Sequence, residues 1–111
     1  MSTDLQVQLF LIRLRKVWSH RDCIRLSHRK KNMEAMARLE LKMDDIKTMC
    51  FQLKPDEKIA GPCEDDKGRP GEIWIFHHSY KGTLMYLKFS LEIIDNNDLV
   101  IIISCHEEGL L

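Results

Sequence analysis

Residues 72–106, EIWIFHHSYKGTLMYLKFSLEIIDNNDLVIIISCH, decide the fold. They read as three consecutive antiparallel strands with turns at Ser79–Thr83 and Asp95–Asp98. The middle strand, LMYLKFSL over 84–91, carries the most information. Side chains alternate along a strand, so Met85, Leu87, Phe89 and Leu91 share one face while Tyr86, Lys88 and Ser90 share the other. The apolar face requires helices to bury it. The opposite face sets a phenol beside an ammonium in mid-sheet, next to a final strand that ends in His106. Those three side chains suit proton transfer and phosphate-charge stabilisation on RNA, and they equally suit an ordinary solvated sheet face.

The chain before this stretch supplies the helices. Asp4 can cap an amphipathic helix, LQVQLFLIRLRKVW, with one stripe at Leu5, Leu9, Ile12 and Lys16 widened by Phe10, Leu14 and Val17. This helix is expected to pack on the sheet. Ile24-Arg25-Leu26 suggests a short extended piece. Asn32 can cap a second helix, MEAMARLEL, with Met33, Met36 and Leu39 or Ala37 inward. A third, DDIKTMCFQL, places Asp44 and Asp45 in a first turn where the helix dipole favours them. Ile46, Met49, Cys50 and Leu53 form its buried stripe, and Pro55 follows its end. Residues 55–71, rich in Pro, Gly and charge, read as a connection. Helices first and strands after argue for α+β: a single domain over 1–111, helical over about 4–54 and sheet over about 55–108.

Composition excludes several classes. With 111 residues, 44% of them hydrophobic and 31% charged, the chain suits one folded domain with a modest core. The opening MSTDLQ lacks a signal-peptide pattern, and the longest apolar run, Leu99–Ile103, is far short of the ~20 residues a membrane helix needs. The expectation is a cytoplasmic protein with no membrane partner. Cys23, Cys50, Cys63 and Cys105 form no close pair, so four free thiols are expected rather than a zinc site. Charge is balanced but uneven. Residues 1–54 hold 12 Lys and Arg against 6 Asp and Glu, and residues 55–111 hold 5 against 11. The block Arg13–Lys31 has eight basic residues opposed by Asp22 alone, which suits a polyanion or an acidic protein.

No phosphate loop, dinucleotide fingerprint, zinc-protease helix or esterase elbow is present. Glu64, Asp65 and Asp66 are carboxylates that suit a hard cation, but in a turn they more often serve solvation. His77 and His78 are strand neighbours and point to opposite faces, so at most one joins Tyr86 and Lys88. His106 ends an apolar strand, where a site or a simple exit into water are equal readings.

Five pieces together resemble the MqsR family of toxin–antitoxin toxins, whose fold is similar to that of RelE-type ribonucleases. They are Ile24-x-Leu26-x-x-Arg29-x-Lys31-Asn32, Gly61-Pro62-x-x-Asp65, Trp74-x-Phe76, Gly82-x-x-Met85-Tyr86-Leu87-Lys88 and Ser104-x-His106. They follow the family's order and spacing over nearly the whole chain. Departures are Lys58 where an aromatic is usual, His77-His78 for a Gly-Lys pair, and Leu26 and Cys105 each for Phe.

The resemblance implies a RelE-like α+β fold, with N-terminal helices on one antiparallel sheet of three to four strands. It implies a metal-independent endoribonuclease, an mRNA interferase that needs no cofactor, takes single-stranded mRNA and is held inactive by a cognate antitoxin. In such an enzyme the ribose 2′-hydroxyl attacks the adjacent phosphate and the leaving 5′-oxygen takes a proton. Carried onto this chain, Lys88 with Arg29 or Lys31 stabilises the phosphate and Tyr86 orients or exchanges a proton. His106 is the acid or base, since imidazole titrates nearest neutrality. His78 replaces a family lysine as a substrate contact. The rival reading is a non-catalytic binding module that keeps the fold and binds a protein. Oligomeric state, cleavage sequence and ribosome dependence stay open.

Overall fold

The computed structural model describes residues 4–109, with Arg21 described by its backbone alone. Three helices, α1 (Asp4–Val17), α2 (Lys30–Arg38) and α3 (Met43–Gln52), accompany five strands. The strands are β1 (Ile24–Leu26), β2 (Lys58–Glu64), β3 (Glu72–Tyr80), β4 (Thr83–Ile94) and β5 (Asn97–Glu107), in the spatial order β1-β5-β4-β3-β2. None of the described helices is long and apolar enough to cross a membrane.

The three-strand meander is as the alternation predicts. Both hairpins turn on two residues with positive φ, Lys81-Gly82 (49° and 81°) and Asp95-Asn96 (52° and 65°). That backbone matches the right-handed twist of paired strands. Met85, Leu87, Phe89 and Leu91 are all buried on the helix side of β4.

The sheet is larger than three or four strands, and it is mixed. Residues 55–71 hold an edge strand, β2, antiparallel to β3, irregular in register and containing the cis Gly61–Pro62 bond. An edge strand tolerates Pro because its outer N–H groups need no partner, so its composition reads as a loop. At the other edge β1 pairs parallel to β5, Ile24 opposite Val100 and Leu26 opposite Ile102. This is the short extended piece that the alternation of Ile24, Arg25 and Leu26 suggests, and the sheet recruits it as a parallel edge.

Helix α1 packs on the sheet as expected but with only part of the expected stripe: its widening residues Phe10, Leu14 and Val17 turn inward and its Leu5, Leu9, Ile12 line turns out. Val7, Phe10, Leu11, Leu14 and Val17 are buried, whereas Leu5, Leu9 and Ile12 are 63%, 52% and 57% exposed. The helix is apolar on two opposed sides, and the ring of Phe10 decides between them. It stacks on Trp74 at 4.6 Å and on Phe76 at 5.8 Å, and meets Phe89 at 5.9 Å. Truncating such a buried ring costs about 3–5 kcal/mol. Helix α3 adds Ile46, Met49 and Cys50 to the same core, as its spacing predicts. Its first turn is capped by Asp45, whose carboxylate accepts the Lys42 N–H at 2.8 Å.

Asn32 is not the cap of α2. The helix starts two residues earlier, at Lys30, and Asn32 is fully buried inside its first turn. Its Nδ2 donates to the carbonyls of Ser27 (2.8 Å) and Ile103 (2.9 Å), and its Oδ1 accepts from the Cys105 N–H (2.9 Å). These bonds latch α2 onto β5. The latch falls at a bulge: Lys88 pairs with Ser104 and Phe89 with Ile102, leaving Ile103 without an opposite number on β4. A bulge leaves backbone groups out of the ladder and bends the strand. Here the carbonyl of Ile103 serves α2 instead.

Candidate functional site

The face of the sheet away from α1 is a grid set by register. One row runs Ile75, Lys88, Ser104 and the next His77, Tyr86, His106, from β3 through β4 to β5. Period-two alternation carries β5 onward from Ser104 and His106 to Glu108 on the same side. The second row is a ladder of rings. His77 and Tyr86 lie 6.0 Å apart at 55°, and Tyr86 stacks on His106 at 5.4 Å and 16°.

Helix α2 closes one side of this face. Arg29, at its N-terminus, donates to Ser104 Oγ (3.0 Å) and to the Ile103 carbonyl (3.3 Å). At the far end Arg38 makes a two-pronged contact with Glu107 (2.9 and 2.8 Å). The result is a groove of about 330 Å³. Lys31 and Arg29 line it from α2, Tyr86 and Lys88 from β4, and Ser104, His106, Glu108 and Gly109 from β5 and the turn beyond it. Five of the six residues expected at the site (Arg29, Lys31, Tyr86, Lys88 and His106) meet there.

The sixth does not. His78 pairs with Met85 and faces the helices, 7% exposed, with Nδ1 2.9 Å from Glu57 Oε2 and Nε2 2.9 Å from Gln52 Oε1. It ties β3 to the end of α3 and to the 3₁₀ turn Pro55–Glu57. The expectation that His78 touches substrate is therefore corrected: strand alternation sends His77 to the groove side and His78 to the core. Nothing in the spelling HH says which is which until the phase of β3 is fixed by Trp74 and Phe76.

The local electrostatics define what each group can do. Burial pushes the Tyr86 phenol above its ordinary value, the charge of Glu108 adds to the rise, and Arg29 opposes it. Tyr86 thus stays protonated at neutral pH and acts as a donor and a stacking surface. His106 Nδ1 lies 3.0 Å from the carbonyl of Glu107. A carbonyl only accepts, so Nδ1 carries the hydrogen and Nε2 is left to exchange a proton with a ligand. Among the described residues no ion pair engages Lys88, although its charge helps hold the Asp65 carboxyl below the usual range. The main cause of that lowering is the Lys67 N–H, with Arg69 behind it.

In that loop the Asp65 carboxylate is engaged by its own neighbours. Asp65 takes the Lys67 N–H at 2.8 Å on one oxygen and Arg69 Nε at 3.0 Å on the other. Among the described residues no three His, Cys, Asp or Glu side chains are placed to hold a metal. The loop then runs close over the sheet at Gly71, where a Cβ would fall 2.6 Å from Ser90 Oγ. Glycine is required at that approach.

The basic block is divided rather than pooled. Arg13 is bound to Asp98 (2.9 and 2.7 Å) and Arg15 donates to the Leu53 carbonyl (2.7 Å). Among the described side chains of that block, Arg29 and Lys31 reach the groove. Chemically, the groove offers a guanidinium, two ammonium groups, a phenol donor and an imidazole around one small volume. Such a set can hold an anionic phosphodiester and move a proton at it. Glu108 and the Asn32 latch are absent from the sequence reading; alternation past His106 would have exposed the first, whereas the second depends on a tertiary contact. No family model, curated protein or solved structure matches this chain.

Proposed function

We propose that this chain is a metal-independent endoribonuclease that cuts single-stranded RNA through attack of the 2′-hydroxyl on the adjacent phosphate. One observation carries the reading. Lys88, Tyr86 and His106, on adjacent strands, converge with Arg29 and Lys31 on a single groove. In this reading Lys88 with Arg29 and Lys31 binds the non-bridging phosphate oxygens, where charge develops. Each well-aimed donor of this kind contributes about 10²–10³ in rate. Tyr86 donates a hydrogen bond and stacks on a ribose or base, and His106 exchanges a proton through Nε2. A single strand suits such a face because its bases can splay and stack. The role as a toxin held by a cognate antitoxin draws on the five-motif resemblance.

Induction in a bacterial host tests this reading. It anticipates growth arrest with the wild type and normal growth with Lys88→Ala or His106→Ala expressed to the same level. Arrest that persists in both variants would refute it. A second reading, a non-catalytic module that binds a protein, draws on the exposed stripe Leu5, Leu9 and Ile12. It anticipates no arrest and no RNA cleavage.

A further inference from the structure

Among the described residues that line the groove one is a carboxylate; the cations around it favour its charge, but phosphate binding alone gives no reason for it. Glu108 lines the groove among Arg29, Lys31 and Lys88, where a negative charge opposes the binding of a phosphate. Its place is nonetheless well defined. The Glu108 N–H donates to the Leu84 carbonyl at 2.9 Å, which fixes the backbone beside β4. Its Oε2 lies 2.6 Å from Nε2 of His77, so the pair reaches across the strand that separates β3 from β5. A carboxylate only accepts, so His77 Nε2 carries the hydrogen. The contact occupies one oxygen of Glu108.

We infer that Glu108 is the general base of the groove, oriented by His77, and that His106 is the general acid; this rests on the ribonuclease reading above. Cleavage needs one group to take a proton and another to give one, on the two sides of the phosphorus. Lys88, Lys31 and Arg29 are cations, and the Tyr86 phenol holds its proton, so none of these accepts one. Arg29 engages Ser104. Among the described residues that line the groove, the groups able to take up a proton are His106 and Glu108.

The step balances with these two. The Glu108 carboxylate takes the 2′-hydroxyl proton as the 2′-oxygen bonds to phosphorus. The bond from phosphorus to the 5′-oxygen breaks, and that oxygen takes the proton from Nε2 of the His106 imidazolium. The products are a 2′,3′-cyclic phosphate and a 5′-hydroxyl, and water returns Glu108 and His106 to their starting protonation. His77 is a positioning residue. The charged and titratable groups facing Glu108 are His77 from β3, Tyr86 and Lys88 from β4, His106 from β5, and Arg29 and Lys31 from α2.

Glu108→Gln separates a base from a mere surface charge, because the two roles give opposite signs. Two strands of one sequence serve as probes: an all-ribose RNA, and the same strand with 2′-deoxyribose at the scissile position, which binds but cannot react. A base predicts cleavage down by about 10²–10⁴-fold, the acid limb of the pH–rate profile lost, and binding of the deoxy strand equal to wild type or tighter. Glu108→Asp is expected to recover part of the rate, and His77→Ala to lower kcat with KM unchanged. Glu108→Gln that cuts within about threefold of wild type, or that loses binding and cleavage in parallel, would overturn the assignment. In that case a Lys88→Ala variant that is still dead leaves the ribonuclease reading standing. A wild-type protein that never cuts the all-ribose strand removes both.

Discussion

Tyr86 and His106 are cross-strand partners on β4 and β5, with rings 5.4 Å apart and 16° from parallel. The stack holds the imidazole plane while its Nδ1 is tied to the Glu107 carbonyl, so the free nitrogen has a fixed direction. His106→Ala should therefore lower kcat/KM by about 10²–10⁴-fold on a defined RNA. Tyr86→Phe keeps the stack and loses only the hydroxyl, so it should cost less than His106→Ala; Tyr86→Ala should cost more than Tyr86→Phe. Since burial raises the Tyr86 phenol above its ordinary value near 10, any alkaline limb below pH 10 should survive in Tyr86→Phe.

The latch at Asn32 makes a stability prediction independent of activity. Asn32→Ala strands the Cys105 N–H and the Ser27 carbonyl, and leaves the Ile103 carbonyl with Arg29 as its donor. An unsatisfied buried group costs about 1–3 kcal/mol, so urea unfolding should show a loss of about 2–4 kcal/mol. Asn32→Asp should be no better, because it turns a carboxylate oxygen toward two carbonyls. A variant as stable as wild type would mean the latch contributes nothing.

Acid should weaken the fold through carboxylates held below their ordinary range. The hydrogen bond from Arg13 lowers the Asp98 carboxyl, and Arg38 does the same for Glu107. Between the lowered and the ordinary value the unfolded chain binds more protons than the folded one. The contribution is thus complete above the ordinary carboxylate value and vanishes as pH falls through the lowered one. Unfolding midpoints at pH 7 and pH 3 should differ in the wild type and differ less in Arg13→Ala. An equal acid loss in both would remove the Arg13–Asp98 pair as a source.

The four thiols should react in two classes. Burial pushes Cys50 and Cys105 up to about 12, so neither forms thiolate at neutral pH. Cys63 is exposed and Cys23 partly so. A colorimetric thiol reagent should titrate Cys63 first, while Cys50 and Cys105 should wait for denaturant. Rapid labelling of Cys105 in the native protein would place β5 elsewhere.

The sequence made the meander legible because a period of two has one solution once Trp74, Phe76, Leu87 and Phe89 must share a side. The groove followed from it, since Tyr86, Lys88 and His106 inherit that phase. Helix α1 was ambiguous for the opposite reason: Leu5-Leu9-Ile12 and Phe10-Leu14-Val17 are both helical stripes, and only the aromatic stack on Trp74 selects one. The same holds for His77 and His78, whose faces depend on the phase of β3. Asn32 carries the signal of a cap and serves as a tertiary latch, because its partners lie 71 and 73 residues away in sequence. Of the two edges, β2 was hidden by its Pro and Gly, whereas Ile24-Arg25-Leu26 reads as extended and only its parallel pairing with β5 depends on a tertiary contact.

If the groove cuts RNA by its own side chains, the purified protein needs neither a metal nor a ribosome to do it. The direct measurement is incubation of the purified protein with a defined single-stranded RNA in EDTA, without ribosomes, followed by mapping of the product ends. The account predicts cuts that leave a 2′,3′-cyclic phosphate and a 5′-hydroxyl, and that vanish in Lys88→Ala. RNA left intact here and again with translating ribosomes, or cuts that persist unchanged in Lys88→Ala, would contradict it.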